Sequence, residues 1–359
     1  PSILNISWQA LGSEIIFFVS GYLLTMILLI EEKNHGHISV RNFYVKRAAR
    51  IIPLYYVALI LFSFAGRYNL SDLLTNILFV SKILDKKTLI PVGWSLELQM
   101  QFFILVPLLV ILLNKTGKPV PMLLLILVSS LWIRYDLIAS DPIFLSTKFP
   151  DVILGAKPSV AQQNSYYLIQ YRMSGLILGM LLAYSYVQYN QKIKPFFQHA
   201  VASKLLLFIG VLLVVIFGFM PIHNVNSFLY QQSGDDFYVF YMSFQRFFFI
   251  IGTSLIILKL LFNPGILKCL IGFLGNRFFK TVSNSIYPIY LFHFPFVLIA
   301  FVLVYQTVDK EDVISVNLLQ LVLVVIISTV LASAFSRVVH RFIELPLQNR
   351  IRNRFLKRS

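Results

Sequence analysis

Charged residues are scarce in this sequence: they make up 13% of its 359 residues, against about a quarter in an average soluble domain. Its one cysteine, Cys269, excludes an intramolecular disulfide and any metal cluster built on several cysteines. The sequence also lacks the glycine-rich phosphate loops, the HExxH zinc pattern and the GxSxG nucleophile turn. These absences argue against a soluble nucleotide-dependent or metal-dependent enzyme, and we predict no metal.

Apolar residues are abundant, at 58% of the chain. Apolar runs of about 17–25 residues recur along nearly the whole length, and each can cross a bilayer as a helix. The sequence therefore predicts an all-α, polytopic helical membrane bundle, with one transmembrane domain over residues 1–338 and a basic cytoplasmic tail over 339–359. Nine spans are predicted, at roughly 14–30, 51–66, 93–113, 120–137, 166–187, 205–220, 245–262, 286–306 and 315–338. The stretch 70–84 is too short and polar to span, and we expect it at the membrane interface.

Basic residues indicate the orientation of these spans. The loops on one side, together with the tail, carry 21 Lys and Arg residues, whereas the alternate loops carry 7. Cytoplasmic loops are the basic ones, so the C-terminus is predicted to be cytoplasmic and Pro1 outside. This scatter of positive charge also argues against nucleic-acid binding. Because most such proteins begin in the cytoplasm, we expect one further helix upstream of Pro1 and ten spans in the complete protein.

Ionisable side chains within the predicted spans are candidate functional residues, because burying them in a bilayer is costly. Glu14 opens the first span and either faces water at its outer end or points inward. Arg172 lies about two turns into its span, where it either snorkels to the surface or pairs with Glu14 or Glu97. Gln99 belongs to a run of polar residues that descends into an apolar helix and is expected to face a polar cavity.

Other candidates lie near predicted span ends. Trp94 is expected at the outer interface, where aromatic anchors are common. Lys46, Arg47 and Arg50 lie at a cytoplasmic mouth, either as topology signals or as a site for an anionic donor, with Arg277 and Lys280 as a second basic group. His293 lies roughly 10 Å past the cytoplasmic start of its span, either hydrogen-bonded within the fold or acting as a base.

Six motifs, taken in order, resemble the acyltransferase-3 family of membrane O-acyltransferases. They are GSEIIFFVSGYLLT, FYVKRAARIIPLYY, GWSLELQMQFFILVP, YRMSGLILGMLLAY, SNSIYPIYLFHFP and RFIELPLQ. Each motif is weak alone, but six in the family's order along nearly the whole chain are specific.

The resemblance implies acyl transfer, usually of acetyl, from cytosolic acetyl-CoA to a hydroxyl of a surface glycan such as lipopolysaccharide O-antigen. Arg47, Arg50 and the neighbouring Lys46 would then hold the donor. The residues that would line the reaction cavity are Glu14, Trp94, Gln99, Arg172, Tyr290 and His293. The family's main catalytic histidine would lie upstream of Pro1, and a family glutamate is replaced by Gln99, which cannot take a proton.

Two other functions fit the same composition. A transporter or flippase of a lipid-linked sugar would use buried polar residues as a path, although no repeat relates the two halves of the sequence. A non-catalytic remnant would agree with Gln99 and the expected missing helix. The basic tail predicts contact with anionic membrane lipid. A bacterial inner membrane is the expected location.

Overall fold

A computed structural model describes residues 7–66, 68–146, 159–220, 231–232, 234–265, 268–307 and 317–356. These residues form helices and no strands. In chain order the helices are α1 Ser7–His35, α2 Val40–Ser63, α3 Leu70–Ile77, α4 Gly93–Thr116, α5 Pro119–Ala139, α6 Pro142–Ser146, α7 Val160–Tyr167, α8 Met173–Gln188, α9 Asn190–Gln198, α10 Ala200–Phe219, α11 Gly234–Phe262, α12 Lys268–Leu274, α13 Arg277–Asn284, α14 Ile286–Tyr305, α15 Leu318–Val339 and α16 Leu345–Phe355. The predicted all-α class is confirmed.

The chain divides into two compact units. Unit 1 contains residues 39–100 and 269–359, and unit 2 contains residues 2–38 and 101–268. Helix α4 begins in unit 1 and continues into unit 2. The predicted division into one membrane domain over 1–338 and a tail over 339–359 stays a prediction.

Seven helices of the described part are long and apolar enough to cross a membrane, so the nine-span count is not confirmed. The two predicted spans without such a helix are 51–66 and 166–187. Helix α2 covers the first of these, but its N-terminal third is basic. Helix α8, at 16 residues, is short for a span because the chain leaves helical geometry at Arg172.

Large apolar side chains are exposed along these helices, as expected of surfaces that face lipid. Trp132 is 68% exposed, Leu125 68% and Phe208 63%. A soluble protein would bury most such side chains. Their exposure, together with the apolar helices, identifies an integral membrane protein.

Helix α3 is amphipathic, but it buries its polar face and exposes its apolar face. Asp72, Thr75 and Asn76 are buried, whereas Leu70 and Leu74 are exposed. Its 8 residues are too few to cross a bilayer. A helix that buries polar groups and exposes leucines is suited to lipid contact, which supports the expectation that residues 70–84 lie at the membrane without spanning it.

The segment after α2 folds back along α2 within unit 1. The Tyr55 hydroxyl, in the middle of α2, donates to the Asn76 carbonyl at 3.0 Å. The Asn76 amide nitrogen donates to the Asp72 and Lys87 carbonyls, each at 2.7 Å. Its side-chain oxygen accepts from the Leu89 backbone N–H at 3.0 Å. Asn76 therefore ties α3 to the irregular stretch that leads into α4.

The last helices of unit 1 are continuous. One π-helical turn, His340–Glu344, joins α15 to α16 without a break. Within the turn, His340 Nδ1 lies 2.6 Å from the buried Glu344 carboxylate. The predicted tail is thus largely helical, and α16 packs against α2.

Candidate functional site

A buried ion pair joins α1 and α8 in unit 2. Arg172 Nε lies 3.1 Å from Glu14 Oε1, and the two side chains are 1% and 0% exposed. The interpretation in which Glu14 faces water is therefore wrong, as is snorkelling of Arg172. The predicted pairing of Arg172 with Glu14 is confirmed, and Arg172 also donates to the Ser13 hydroxyl.

Glycines allow this ion pair to form, because they let the two helix backbones touch. A Cβ added at Gly21 would lie 2.2 Å from the Leu176 carbonyl oxygen, and one at Gly179 would lie 2.2 Å from that of Phe18. At Gly175 an added Cβ would lie 3.0 Å from Glu14 Oε2. Small residues at such crossings are typical of membrane helix packing. Here they bring the first turns of α1 within reach of the start of α8.

Two further arginines, Arg134 and Arg246, converge on the same region of unit 2. Arg246 Nη1 lies 3.8 Å from Glu14 Oε1 and donates to the Ser165 carbonyl at 3.0 Å. Glu14 thus forms ion pairs with two guanidinium groups, those of Arg172 and Arg246. Guanidinium groups fixed in a buried site can stabilise a developing oxyanion.

Arg134 holds the cluster together through backbone carbonyls. Its Nε and Nη atoms donate to the carbonyls of Ser165, Tyr171, Met242 and Ser243, each at 3.0 Å. One guanidinium therefore ties α5, α11 and the turn that precedes Arg172. Neither Arg134 nor Arg246 is among the functional candidates predicted from the sequence. Their depth inside apolar segments was the available signal for a role.

Aromatic rings complete the surroundings of the arginines. Arg172 Cζ lies 5.2 Å from the centroid of the Tyr166 ring, and Arg246 Cζ lies 5.5 Å from it. Arg172 Cζ also lies 5.3 Å from the centroid of the Phe17 ring. Cation–π contacts of this kind stabilise guanidinium groups that have left water. They also fix the planes of the two guanidinium groups.

In unit 1, a second polar cluster forms around Tyr290. Its hydroxyl hydrogen-bonds the Ser95 hydroxyl, next to Trp94 at the start of α4. His293 Nδ1 lies 2.8 Å from the Tyr290 carbonyl oxygen. A carbonyl accepts only from an N–H, so a neutral His293 ring carries its lone pair on Nε2. In this tautomer Nε2 is the nitrogen that can accept a proton.

The Ser95–Tyr290 contact corrects a predicted depth. Trp94 was expected at the outer interface, and His293, three residues after Tyr290, was expected roughly 10 Å past the cytoplasmic start of its span. The first turn of α4 and the second turn of α14 meet, so both expectations cannot hold. The cause is the fold-back of residues 68–92, which returns the chain to the level of Tyr55 before α4 begins.

Glu97 and Gln99 have different surroundings in the same helix. Glu97 is buried, and its carboxylate accepts from the Ser81 hydroxyl and, at 3.0 Å, from the Lys82 backbone N–H. Gln99 is half-buried. Glu97 thus stabilises the turn at residues 81–82, and its carboxylate is engaged there.

The basic residues of α2 differ in exposure. Lys46 and Arg50 are exposed, whereas Arg47 is half-buried on the same helical face as Ile51 and Leu54. Within the described part of the chain, Arg47 Nε is buried without a hydrogen-bond partner. A guanidinium in this position is suited to an anionic ligand. The residues of the second predicted basic group, Arg277 and Lys280, are exposed on α13, and their participation stays a prediction.

Residues 4–337 match the family profile described as an acyltransferase domain, Acyl_transf_3. The chain belongs to this acyltransferase family. It is 26% identical over 378 residues to a Staphylococcus aureus (strain COL) protein named "Putative O-acetyltransferase SACOL0978", covering 96% of this chain and 54% of that protein. It is 24% identical over 369 residues to the O-acetyltransferase OatA of Staphylococcus aureus (strain NCTC 8325 / PS 47), covering 97% of this chain and 54% of OatA.

The chain therefore spans about half the length of the curated relatives it matches. No solved structure matches it. The relatives' names give no support to the transporter interpretation. Within the described residues, no group of three His, Cys, Asp or Glu side chains is placed to hold a metal ion, and the absence of a metal stays a prediction.

Proposed function

We propose that this protein transfers an acetyl group from cytosolic acetyl-CoA to a hydroxyl of a surface glycan, such as lipopolysaccharide O-antigen. The family match over residues 4–337 and the relatives named as O-acetyltransferases support acyl transfer. We also propose that the protein lies in a bacterial inner membrane, and the basic-residue asymmetry supports a cytoplasmic C-terminus.

The observation that carries the proposal is the buried cluster of Glu14, Arg172 and Arg246. When the acceptor oxygen attacks the thioester carbon, a C–O bond forms and negative charge develops on the carbonyl oxygen. Guanidinium groups that are already desolvated and oriented stabilise such charge strongly. The C–S bond then breaks, and CoA leaves as its thiol after taking up a proton. Arg172 and Arg246 are our candidates for the oxyanion-stabilising groups.

The acceptor hydroxyl must lose a proton during this attack. His293 is the described residue best suited to accept it, because its Nδ1 is engaged with the Tyr290 carbonyl and its lone pair lies on Nε2. The family resemblance likewise implies that His293 lines the reaction cavity. Trp94, Tyr290 and Gln99 are proposed to line the acceptor path.

Arg47, Arg50 and Lys46 are proposed to bind the phosphates of acetyl-CoA. The buried, unpartnered Arg47 Nε supports this role, because an arginine serving only as a topology signal would keep its guanidinium in water. Exposed Lys46 and Arg50 would extend the same positive surface toward the cytoplasm.

The test uses membranes that contain the protein, supplied with radiolabelled acetyl-CoA. The readout is alkali-labile label in the glycan fraction, compared between wild type and the Arg47→Ala/Arg50→Ala variant. Lys192→Ala/Lys194→Ala is the matched control, because it removes the same charge from another predicted cytoplasmic segment. We expect label in the wild type and the control and its loss in the arginine variant.

Two other results would change the proposal. If the arginine variant still labels the glycan, acetyl transfer is supported, but Arg47 and Arg50 are not the donor site. Absence of label with every glycan of the native host, from folded protein, would contradict acetyl transfer itself.

A further inference from the structure

Helix α16 packs against α2, the helix that carries Arg47 and Arg50, within unit 1. Ile343, Leu347 and Ile351 recur at four-residue intervals and are half-buried, so they mark the packed face. Arg350 and Arg354, also four residues apart, are exposed on one flank of that face. Arg352 lies two residues from each of them and therefore projects from the opposite flank.

The two packed helices carry basic residues and no acidic ones. Their basic residues are Arg41, Lys46, Arg47, Arg50, Arg350, Arg352 and Arg354. The nearest carboxylate in sequence, Glu344, is buried and already paired with His340. Like charges on packed helices repel one another, and an anion bound between them relieves that repulsion. A polyanionic ligand would therefore stabilise the pairing of α16 with α2.

We propose that α16 forms the second wall of the donor site, with Arg350 and Arg354 binding phosphates of CoA opposite Arg47 and Arg50. This inference rests on the proposed function. CoA carries a 3′-phosphate and a 5′-diphosphate, which need several cations at separate positions. A guanidinium group binds a phosphate through two N–H donors that lie in one plane. Arginines on two helices can therefore bind phosphates at separate positions, which is harder for arginines on a single helix.

Anionic lipid offers the same phosphate chemistry, but the geometry favours CoA. Lipid headgroups reach the outward-facing side of a helix at the membrane surface. Arg47 instead lies on the inward face of α2 with its Nε buried. A ligand that engages Arg47 together with α16 has to approach this inward face, which a soluble nucleotide can reach more readily than a headgroup anchored in the bilayer.

The experiment measures CoA binding to the full chain in nanodiscs of phosphatidylcholine. The test variant is Arg350→Gln/Arg354→Gln, and the matched control is Arg341→Gln/Arg352→Gln, which removes the same charge away from that flank. We expect the Kd for CoA to rise about tenfold or more in the test variant and less than about twofold in the control. Size-exclusion profiles check that both variants are folded.

Dephospho-CoA and lipid give the two further arms. Because dephospho-CoA lacks the 3′-phosphate, we expect the test variant to weaken its binding less than that of CoA. A second set of nanodiscs contains phosphatidylglycerol, and the lipid that co-purifies with each variant is measured. Loss of phosphatidylglycerol from the test variant with unchanged CoA affinity would overturn the proposal in favour of a lipid site.

Two outcomes separate this inference from the function on which it rests. Wild-type protein that binds no CoA would contradict the proposed donor. Wild-type protein that binds CoA, with equal weakening in the test and control variants, would contradict only the role of α16.

Discussion

Removal of Glu14 or Arg172 should destabilise the protein strongly and non-additively. Both side chains are buried, at 0% and 1% exposure, so either single change leaves charge without its partner. Breaking a buried pair in this way costs about 3–5 kcal/mol. We expect Glu14→Gln at the upper end of this range, because it leaves the arginines of the cluster without their carboxylate. Arg172→Met should cost less, since Arg246 remains 3.8 Å from Glu14.

The double variant Glu14→Gln/Arg172→Met removes both charges together. We expect its loss of unfolding free energy to be smaller than the sum of the two single losses by at least about 2 kcal/mol. The free energy of unfolding can be measured by SDS titration of the purified protein in mixed micelles. Arg341→Met, at an exposed position, is the control for loss of one positive charge. If the effect of the double variant equals the sum of the two single effects to within about 0.5 kcal/mol, the two side chains are not coupled and the ion-pair reasoning is refuted.

The same variants separate folding from catalysis. If Arg172 stabilises the oxyanion, the double variant regains part of its stability and still fails to transfer acetyl groups. Recovery of activity along with stability would show that the pair has a structural role alone.

Three further predictions follow from the packing and the polar contacts. Gly21→Ala should lower the free energy of unfolding by about 1–3 kcal/mol, because the added Cβ would lie 2.2 Å from a carbonyl oxygen. Gly12→Ala is the control: its Cβ would have nothing within 4 Å, so the same SDS titration should show a neutral or slightly stabilising effect. Arg134→Lys should cost about 3 kcal/mol and lower the thermal midpoint, because one ammonium group cannot reach four carbonyls; an unchanged midpoint would contradict this. Burial raises the pKa of Asp141, but hydrogen bonds from the Ala161 N–H, the Ser159 side chain and the N–H groups of Ile143 and Phe144 outweigh burial and hold the pKa below its usual value. The stability that Asp141 contributes should be present above a pH of about 3.9 and lost as the pH falls below it, and Asp141→Asn should remove this pH dependence.

Composition and motif order predicted the helical membrane class and the family, because both depend on the sum over many residues. The Glu14–Arg172 pair was foreseen as one alternative, since two opposite charges in apolar segments must find partners. The close approach of α1 and α8 could not be predicted, because it depends on Gly21 and Gly179 facing the backbone of the partner helix. A small residue in a sequence does not reveal which helix it contacts.

The depth of Trp94 could not be read from the sequence. An aromatic residue next to a glycine at the start of an apolar run is typical of an interface. The fold-back through Asn76 places that run against Tyr290 instead, and it depends on side-chain bonds to carbonyls 4 and 11 residues away. Arg134 was missed for a related reason, because its partners are backbone carbonyls, which every residue has.

The order of synthesis gives the Glu14–Arg172 pair a consequence for insertion into the membrane. Arg172 leaves the ribosome 158 residues after Glu14. At about 5–20 residues per second, α1 waits for roughly 8–30 s with its acidic residue unmatched. During that interval Glu14 must stay near water or beside another polar partner, such as an insertion factor. Arrival of α8, with Arg172 at its start and glycines along its face, then converts a poorly inserted helix into a stable one. Truncation before Arg172 should therefore leave α1 exposed to membrane quality control.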